Sequence, residues 1–211
     1  MRKTLVVLLC VAGLCLQQVQ AQLSDKLVPH LGFMYEVVNL QGFVPSSTNP
    51  AFRDDISRFF YTFSVGTYYV LAHQNDVVSL GLDPSLNLGF NFEQNFQGTE
   101  TGINLVVQAP VFLMGRLGAL ATKYNQQKFG IGAGIGGNYI FVSEGIRDRR
   151  ISGFAPSAVA EVTFLSRGGP LTIRGHFTIA PTEETYMDTS GSDDWRYNEL
   201  VSWGVGLIYG F

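Results

Sequence analysis

VSLGLDPSLNLGFNF, residues 78–92, is the stretch that decides the fold, because apolar and small or polar residues alternate along its whole length. Val78, Leu80 and every second residue up to Phe92 share one face, whereas the other face carries serine, glycine, asparagine and Asp83. Such period-two alternation places successive side chains on opposite sides of a β-strand. The stretch is longer than the usual strand of about five or six residues, so it predicts an extended strand with two unlike faces.

The same alternation recurs along the chain, most clearly at 129–141 and in the last ten residues, where glycine and small polar residues again oppose an apolar face. It predicts an all-β fold of eight antiparallel strands with no run of about 20 apolar residues that would form a transmembrane helix. The strands are joined by short turns at 74–76 and 166–170 and by longer polar connections at 41–57, 93–101, 143–151 and 181–195. The connection 117–128 is long for a turn. The expected strands are 30–40, 58–72, 77–92, 102–116, 129–142, 152–165, 171–180 and 196–211.

The first 21 residues have the pattern of a secretory signal peptide. Arg2 and Lys3 precede an apolar run, and Ala21 ends a small-residue cleavage site. Cys10 and Cys15 both lie in this segment, so the expected mature chain, 22–211, has no cysteine for a disulfide, a nucleophile or a metal site. It forms one barrel domain.

Composition narrows the class of protein. Of the 211 residues 46% are hydrophobic but only 15% are charged, against roughly 25% in a typical soluble protein. The hydrophobic fraction argues against intrinsic disorder. Removing the two basic residues of the signal peptide leaves 12 basic and 17 acidic residues, and this acidic balance argues against nucleic-acid binding.

Alternation with few charges predicts a closed barrel in a lipid bilayer. A closed antiparallel sheet satisfies every backbone donor and acceptor and has no open edge. Lipid then contacts the apolar face, while small and polar residues face the lumen. A secreted soluble barrel of the lipocalin type is the inverse alternative, but its outer positions should carry charges, and here those positions are glycine, serine and asparagine.

The chain resembles the small eight-stranded bacterial outer-membrane barrels of the OmpA/OmpX type and the PorT-like barrel families. The resemblance covers 22–211 and is architectural, with one sharp motif in the last strand: Gly206, Tyr209 and Phe211 match the terminal pattern of these families, although Gly204 stands where a polar residue is usual. It implies an outer-membrane location with periplasmic termini and recognition of the terminal aromatic residue by the barrel-assembly machinery.

Six polar residues fall on the expected lumen face: Glu36, Asp83, Arg116, Glu161, Arg174 and His176. Charges inside a narrow barrel need partners, because unpaired burial costs several kcal/mol. We expect the three carboxylates to pair with the two arginines and fill the lumen, which is only wide enough for side chains. The same narrowness predicts that the barrel forms no general diffusion pore.

The functional alternatives differ in class. One is a non-enzymatic barrel that presents the connections 41–57 and 181–195 for binding or serves a structural, assembly or secretion complex. The other is a lipid-modifying enzyme, which needs a nucleophile and a base close together. His30 and His73 are expected at the periplasmic ends of strands and His176 in the lumen, so no catalytic site, metal site or cofactor is predicted.

Expected partners are membrane lipid and lipopolysaccharide, an envelope protein, and no nucleic acid. The basic residues Arg147, Arg149 and Arg150 are candidates for contact with lipopolysaccharide phosphates. The acidic segment 188–194 lacks the spacing of a calcium loop, so we interpret it as a solvated connection.

Overall fold

The chain forms a closed barrel of eight antiparallel strands joined in sequence order, so the predicted all-β fold is confirmed. This computed structural model describes residues 25–43, 53–94, 101–145, 149–167, 169–181 and 196–211, and the expected signal peptide lies outside them. Within the described residues, no helix is long and apolar enough to cross a membrane. The strands are β1 Leu27–Phe43, β2 Arg53–Gln74, β3 Val78–Gln94, β4 Thr101–Gly118, β5 Phe129–Glu144, β6 Arg149–Ser166, β7 Gly169–Pro181 and β8 Arg196–Gly210.

Every strand closely matches its sequence expectation, but most are longer. The largest difference is in β2, which begins at Arg53 rather than at 58. The long connections are correspondingly shorter, and the segments 44–52, 95–100, 146–148 and 182–195 lie outside the described residues. Closure comes from the pairing of β1 with β8, in which Glu36 lies opposite Gly204 and His30 opposite Gly210.

The two ends of the barrel differ in their connections. We call the end that bears Asp25, Phe211 and the connections 75–77, 119–128 and 167–168 the terminal end, and the opposite end the loop end. Asn75 and Asp76 make the tight β2–β3 turn with positive φ angles of 50° and 56°, a conformation that asparagine and aspartate tolerate better than most residues.

The connection 119–128 folds against the terminal end. Ala119 and Ala121 are buried, and Leu120 packs against the apolar side chains just inside the barrel. Hydrogen bonds fix the connection in place. Thr122 donates to Asp76 at 3.2 Å, and Tyr124 donates to Asp25 at 2.7 Å. The long connection is therefore an ordered cap over the lumen, which its length alone does not predict.

Candidate functional site in the barrel lumen

Alternation divides each strand between a buried inner face and an exposed outer face. Along β4, exposed and buried residues alternate almost without exception from Thr101 to Gly118. Glycines occupy many inner positions because the interior is crowded. A Cβ added at Gly132 would lie 2.9 Å from Glu161. The inner face carries all six of the polar residues expected there, each at most 6% exposed: Glu36, Asp83, Arg116, Glu161, Arg174 and His176.

Four of these residues form a compact ionic cluster, consisting of Asp83, Arg116, Glu161 and Arg174. Arg174 Nη2 lies 2.7 Å from Asp83 Oδ2 and 2.8 Å from Glu161 Oε2. Arg116 Nε contacts Glu161 Oε1 at 2.6 Å, and its Nη2 lies 3.3 Å from Asp83 Oδ2. Two cations and two anions therefore neutralise one another, and each guanidinium bridges both carboxylates. This arrangement offsets the desolvation that burial of charge imposes.

Two further residues complete the surroundings of the ionic cluster. Tyr68 lies under Arg116, with the guanidinium carbon 4.0 Å from the ring centroid, and its hydroxyl is 2.9 Å from Ser79 Oγ. His30 is 3% exposed and lies 3.6 Å from Asp83 Oδ1. His30 lies near the terminal end of β1, three residues after the strand begins, and the parity of position 30 directs its side chain inward, although it is not among the six lumen residues expected from the sequence.

Glu36 belongs to a second group, which we call the middle cluster: Glu36, Gln108, His176 and Ser202. His176 Nε2 lies 2.9 Å from Glu36 Oε1, Gln108 donates to the same oxygen at 2.6 Å, and Ser202 donates to it as well. The expectation that Glu36 pairs with an arginine is wrong. Both arginines lie in the ionic cluster, and the ionisable side chain that contacts Glu36 is the imidazole of His176.

A third polar group, the loop-end cluster, closes the inner face near the opposite end. Arg58 lies 2.9 Å from Glu93 and 3.2 Å from Glu144, and Asn104 donates to Glu93 at 3.0 Å. Sequence reasoning missed this cluster. Glu93 and Glu144 fall just outside the expected limits of their strands, so the alternation of inner and outer positions was not extended to them.

Apolar side chains fill the space beside the polar groups. One group contains Phe60 and Ile140 and includes Val38, two residues beyond Glu36 along β1. The other contains Tyr68, Phe112 and Met114; it lies beside the ionic cluster, and Leu120 packs against it. Polar and apolar side chains drawn from all around the barrel thus fill the interior.

The chemistry available to these groups is limited by their contacts. Ser202 and His176 both bind the same oxygen of Glu36, and the described residues show no hydrogen bond from Ser202 to His176. A nucleophile activated by a base requires that bond. Among the described residues, no group of three or more histidine, cysteine or acidic side chains is placed to hold a metal ion.

The residues of the C-terminal motif lie at the terminal end. Tyr209 and Phe211 point outward with their ring centroids 6.4 Å apart, whereas Gly206 lies on the inner face opposite Met34. The backbone amide of Phe211 donates to the carbonyl of Pro29 at 3.1 Å, which holds the end of the chain against β1. Their predicted role in assembly stays a prediction.

The chain matches no protein-family model and no curated protein. Among solved structures it is similar to Neisserial surface protein A, with 8% identity over 86% of this chain and 97% of that one and a TM-score of 0.43. The attachment invasion locus protein Ail of Yersinia pestis, in complex with the heparin analogue sucrose octasulfate, shares 10% identity over 87% and 99% with a TM-score of 0.41. The outer membrane protease OmpT from Escherichia coli shares 9% over 89% and 97% with a TM-score of 0.39. At these TM-scores no residue correspondence or function transfers.

Proposed function

We propose that the chain is an integral outer-membrane β-barrel, a non-enzymatic anchor with a filled lumen that presents its loop end outside the cell. The observation that carries this proposal is the outer wall. No outward position there is Asp, Glu, Lys or Arg, and Phe33, Ile135 and Phe154 are about 70% exposed, at 69%, 72% and 73%. The wall comprises the outward positions of 27–37, 59–71, 78–92, 103–117, 129–141, 152–164, 171–179 and 201–211.

This polarity is the reverse of that of a soluble barrel. Soluble monomers rarely expose contiguous apolar patches of more than about a few hundred Å². Here the apolar surface continues around all eight strands, while the inner face holds the ionic cluster. The outer wall therefore suits hydrocarbon, and strands of 13 to 22 residues exceed the roughly 9–11 that a tilted span needs.

The lumen supports an anchoring role rather than transport. Two apolar groups and three polar clusters occupy it, and the cap of residues 119–128 folds over the terminal end. Purified protein in planar bilayers should show no large, stable conductance. A steady open channel of porin size would contradict the proposed filled lumen.

The orientation and partners are part of the same proposal. Two of the three connections at the terminal end, 75–77 and 167–168, are short turns, which suits the periplasm, as in outer-membrane barrels. In that orientation the segments 44–52, 95–100, 146–148 and 182–195 would lie outside. These segments would meet an envelope protein, a polysaccharide or lipopolysaccharide, or attach the barrel to an assembly or secretion complex. Arg150 is exposed on the outward face of β6, near the loop end, within reach of lipid phosphates. During insertion, the assembly machinery would read Tyr209 and Phe211.

A lipid-modifying activity has less support. The buried histidines contact buried carboxylates, and neither lies on the outer wall where a lipid would meet it. Mass spectrometry of lipid A from cells that express the protein should show no new species. A mass change that depends on His176 would replace the anchoring role with an enzymatic one.

Membrane partition tests the central proposal. We expect the protein in the outer-membrane fraction, extractable only with detergent, with faster gel migration before heating than after it. Recovery from the soluble periplasm without detergent would overturn the proposal. Pull-down from detergent-solubilised outer membrane would then identify the partner of the loop end.

A further inference from the structure

Among the described residues, the terminal end of the barrel carries four cationic side chains and two acidic ones. Its two acidic residues are already engaged. Asp25 accepts a hydrogen bond from Tyr124, while Asp76 accepts one from Thr122 and lies 3.3 Å from His73. Within the described part of the chain, the four cationic side chains at this end form no ion pair, and all are exposed: Lys26, Lys123, Lys128 and Arg167.

Two of these cations stand beside an aromatic pair at the rim of the outer wall. Phe129 and Phe164 face each other across β5 and β6, with ring centroids 5.6 Å apart. Lys128 immediately precedes Phe129, and its carbonyl accepts a hydrogen bond from Leu165 at 2.9 Å. Arg167 follows two residues after Leu165. Lys128 and Arg167 therefore lie one and three residues beyond the aromatic pair, at the terminal ends of β5 and β6.

This combination matches the boundary of a bilayer. Aromatic rings concentrate at the level of lipid headgroups, and lysine and arginine beside them reach the phosphates. From Phe164 the register continues to Leu171 and on to Tyr209, so the aromatic pair is part of the same apolar wall. At the loop end, by contrast, the segment 182–195 contains five acidic residues and no basic one.

We propose that Lys128 and Arg167, above the Phe129–Phe164 pair, bind the headgroup phosphate of an anionic phospholipid in the leaflet at the terminal end. The two cations would hold the phosphate, while the two rings lie against the glycerol and upper acyl region. This site rests on the proposed membrane barrel and adds to it a preferred lipid class.

The test compares the affinity of purified, detergent-solubilised protein for phosphatidylglycerol and phosphatidylcholine, measured by native mass spectrometry of retained lipid. The double variant K128Q/R167Q should lose affinity for phosphatidylglycerol by about fivefold for each cation, the ratio that corresponds to about 1 kcal/mol per basic residue at a charged membrane surface. Binding of phosphatidylcholine should change much less. K128R/R167K, which preserves both charges, should retain the preference.

The matched control is K26Q/K123Q, which removes the same charge from the same end but away from the aromatic pair. A loss in this control as large as that in K128Q/R167Q would overturn the site in favour of diffuse attraction. Equal affinity of the wild-type protein for the two lipids would overturn it as well. Insertion into phosphatidylcholine vesicles, followed by the heat-dependent gel shift, reports separately on the membrane barrel. Insertion without lipid preference would reject the site alone, whereas failure to insert would reject the barrel proposal and the site with it.

Discussion

Arg174→Gln tests how strongly the ionic cluster stabilises the barrel. The substitution removes an arginine whose nitrogens lie 2.7 Å from Asp83 and 2.8 and 3.0 Å from Glu161, so two buried carboxylates are left to share Arg116. Removing one partner of a buried ion pair costs about 3–5 kcal/mol, because the other charge stays buried without compensation. Glu161→Gln creates the opposite excess of charge, and we expect a loss of similar size.

The double variant E161Q/R174Q separates compensation from simple loss of contacts. It removes one anion and one cation, and Arg116 keeps Asp83 at 3.3 Å. We expect the double variant to be at least as stable as either single variant, whereas independent losses would sum to about 6–10 kcal/mol. The free energy of unfolding is measured by urea titration in detergent micelles, followed by tryptophan fluorescence and by gel mobility.

Arg150→Gln is the control, because it removes an arginine from the exposed face of β6 and should change the free energy of unfolding by no more than about 0.5 kcal/mol. The compensation argument is refuted if both single variants unfold within about 1 kcal/mol of the wild type. It is refuted equally if the loss in the double variant equals the sum of the single losses.

Three further substitutions probe the packing, the outer wall and the C terminus. Gly132→Ala adds a Cβ that would lie 2.9 Å from a carboxylate oxygen of the ionic cluster, and it should lower the free energy of unfolding in urea by about 1–3 kcal/mol. Gly115→Ala, with 4.0 Å to its nearest neighbour, should be near neutral, and equal free energies for the two variants would contradict the crowding at Gly132. Ile135→Lys should destabilise the protein in lipid vesicles by about 2–4 kcal/mol, whereas unchanged vesicle stability would mean that this 72% exposed position does not face hydrocarbon. Phe211→Ala should slow the appearance of the heat-shifting form in a pulse-chase experiment more than Phe129→Ala does; the two residues have similar exposure (59% and 53%). Equal rates would mean that Phe211 serves only as an aromatic residue at the membrane boundary.

Alternation alone places the six expected polar residues on the inner face, because the face that a strand residue occupies depends only on its parity. Which of them touch is a different matter, since contacts across a barrel depend on strand tilt and stagger. Asp83 and Arg174 meet although 91 positions separate them, and Glu36 meets His176 rather than an arginine. Neither pairing is encoded in a local pattern.

Strand ends account for two of the residues that the sequence does not reveal. Glu93 and Glu144 lie one and two residues beyond the expected ends of their strands, and the observed boundaries direct both inward. Arg58, Tyr68 and Gln108 lie inside expected strands, and the same parity directs them inward, although none is among the six expected lumen residues.

The cap over the terminal end illustrates what neither parity nor composition reveals. Leu120 has a positive φ of 62°, which is uncommon for leucine, and it packs against the inner apolar side chains. Hydrogen bonds from Thr122 and Tyr124 to Asp76 and Asp25 hold the connection there, and each is a tertiary contact with another part of the chain. A pattern read along 117–128 contains no trace of these partners.

The composition of the ionic cluster also constrains the order in which the barrel can form. His30 and the four charged residues come from β1, β3, β4, β6 and β7, and the interaction of Arg174 with His30 spans 144 positions. A sheet of the first four or five strands has Asp83 and Arg116 but neither Glu161 nor Arg174, so the charge network is complete only after β7 has joined. Contacts of such high sequence separation are entropically costly and form slowly. The last strands therefore complete the network, and a truncated or stalled barrel would hold only part of it, including the Arg116–Asp83 pair, in contact with water until the cylinder closes.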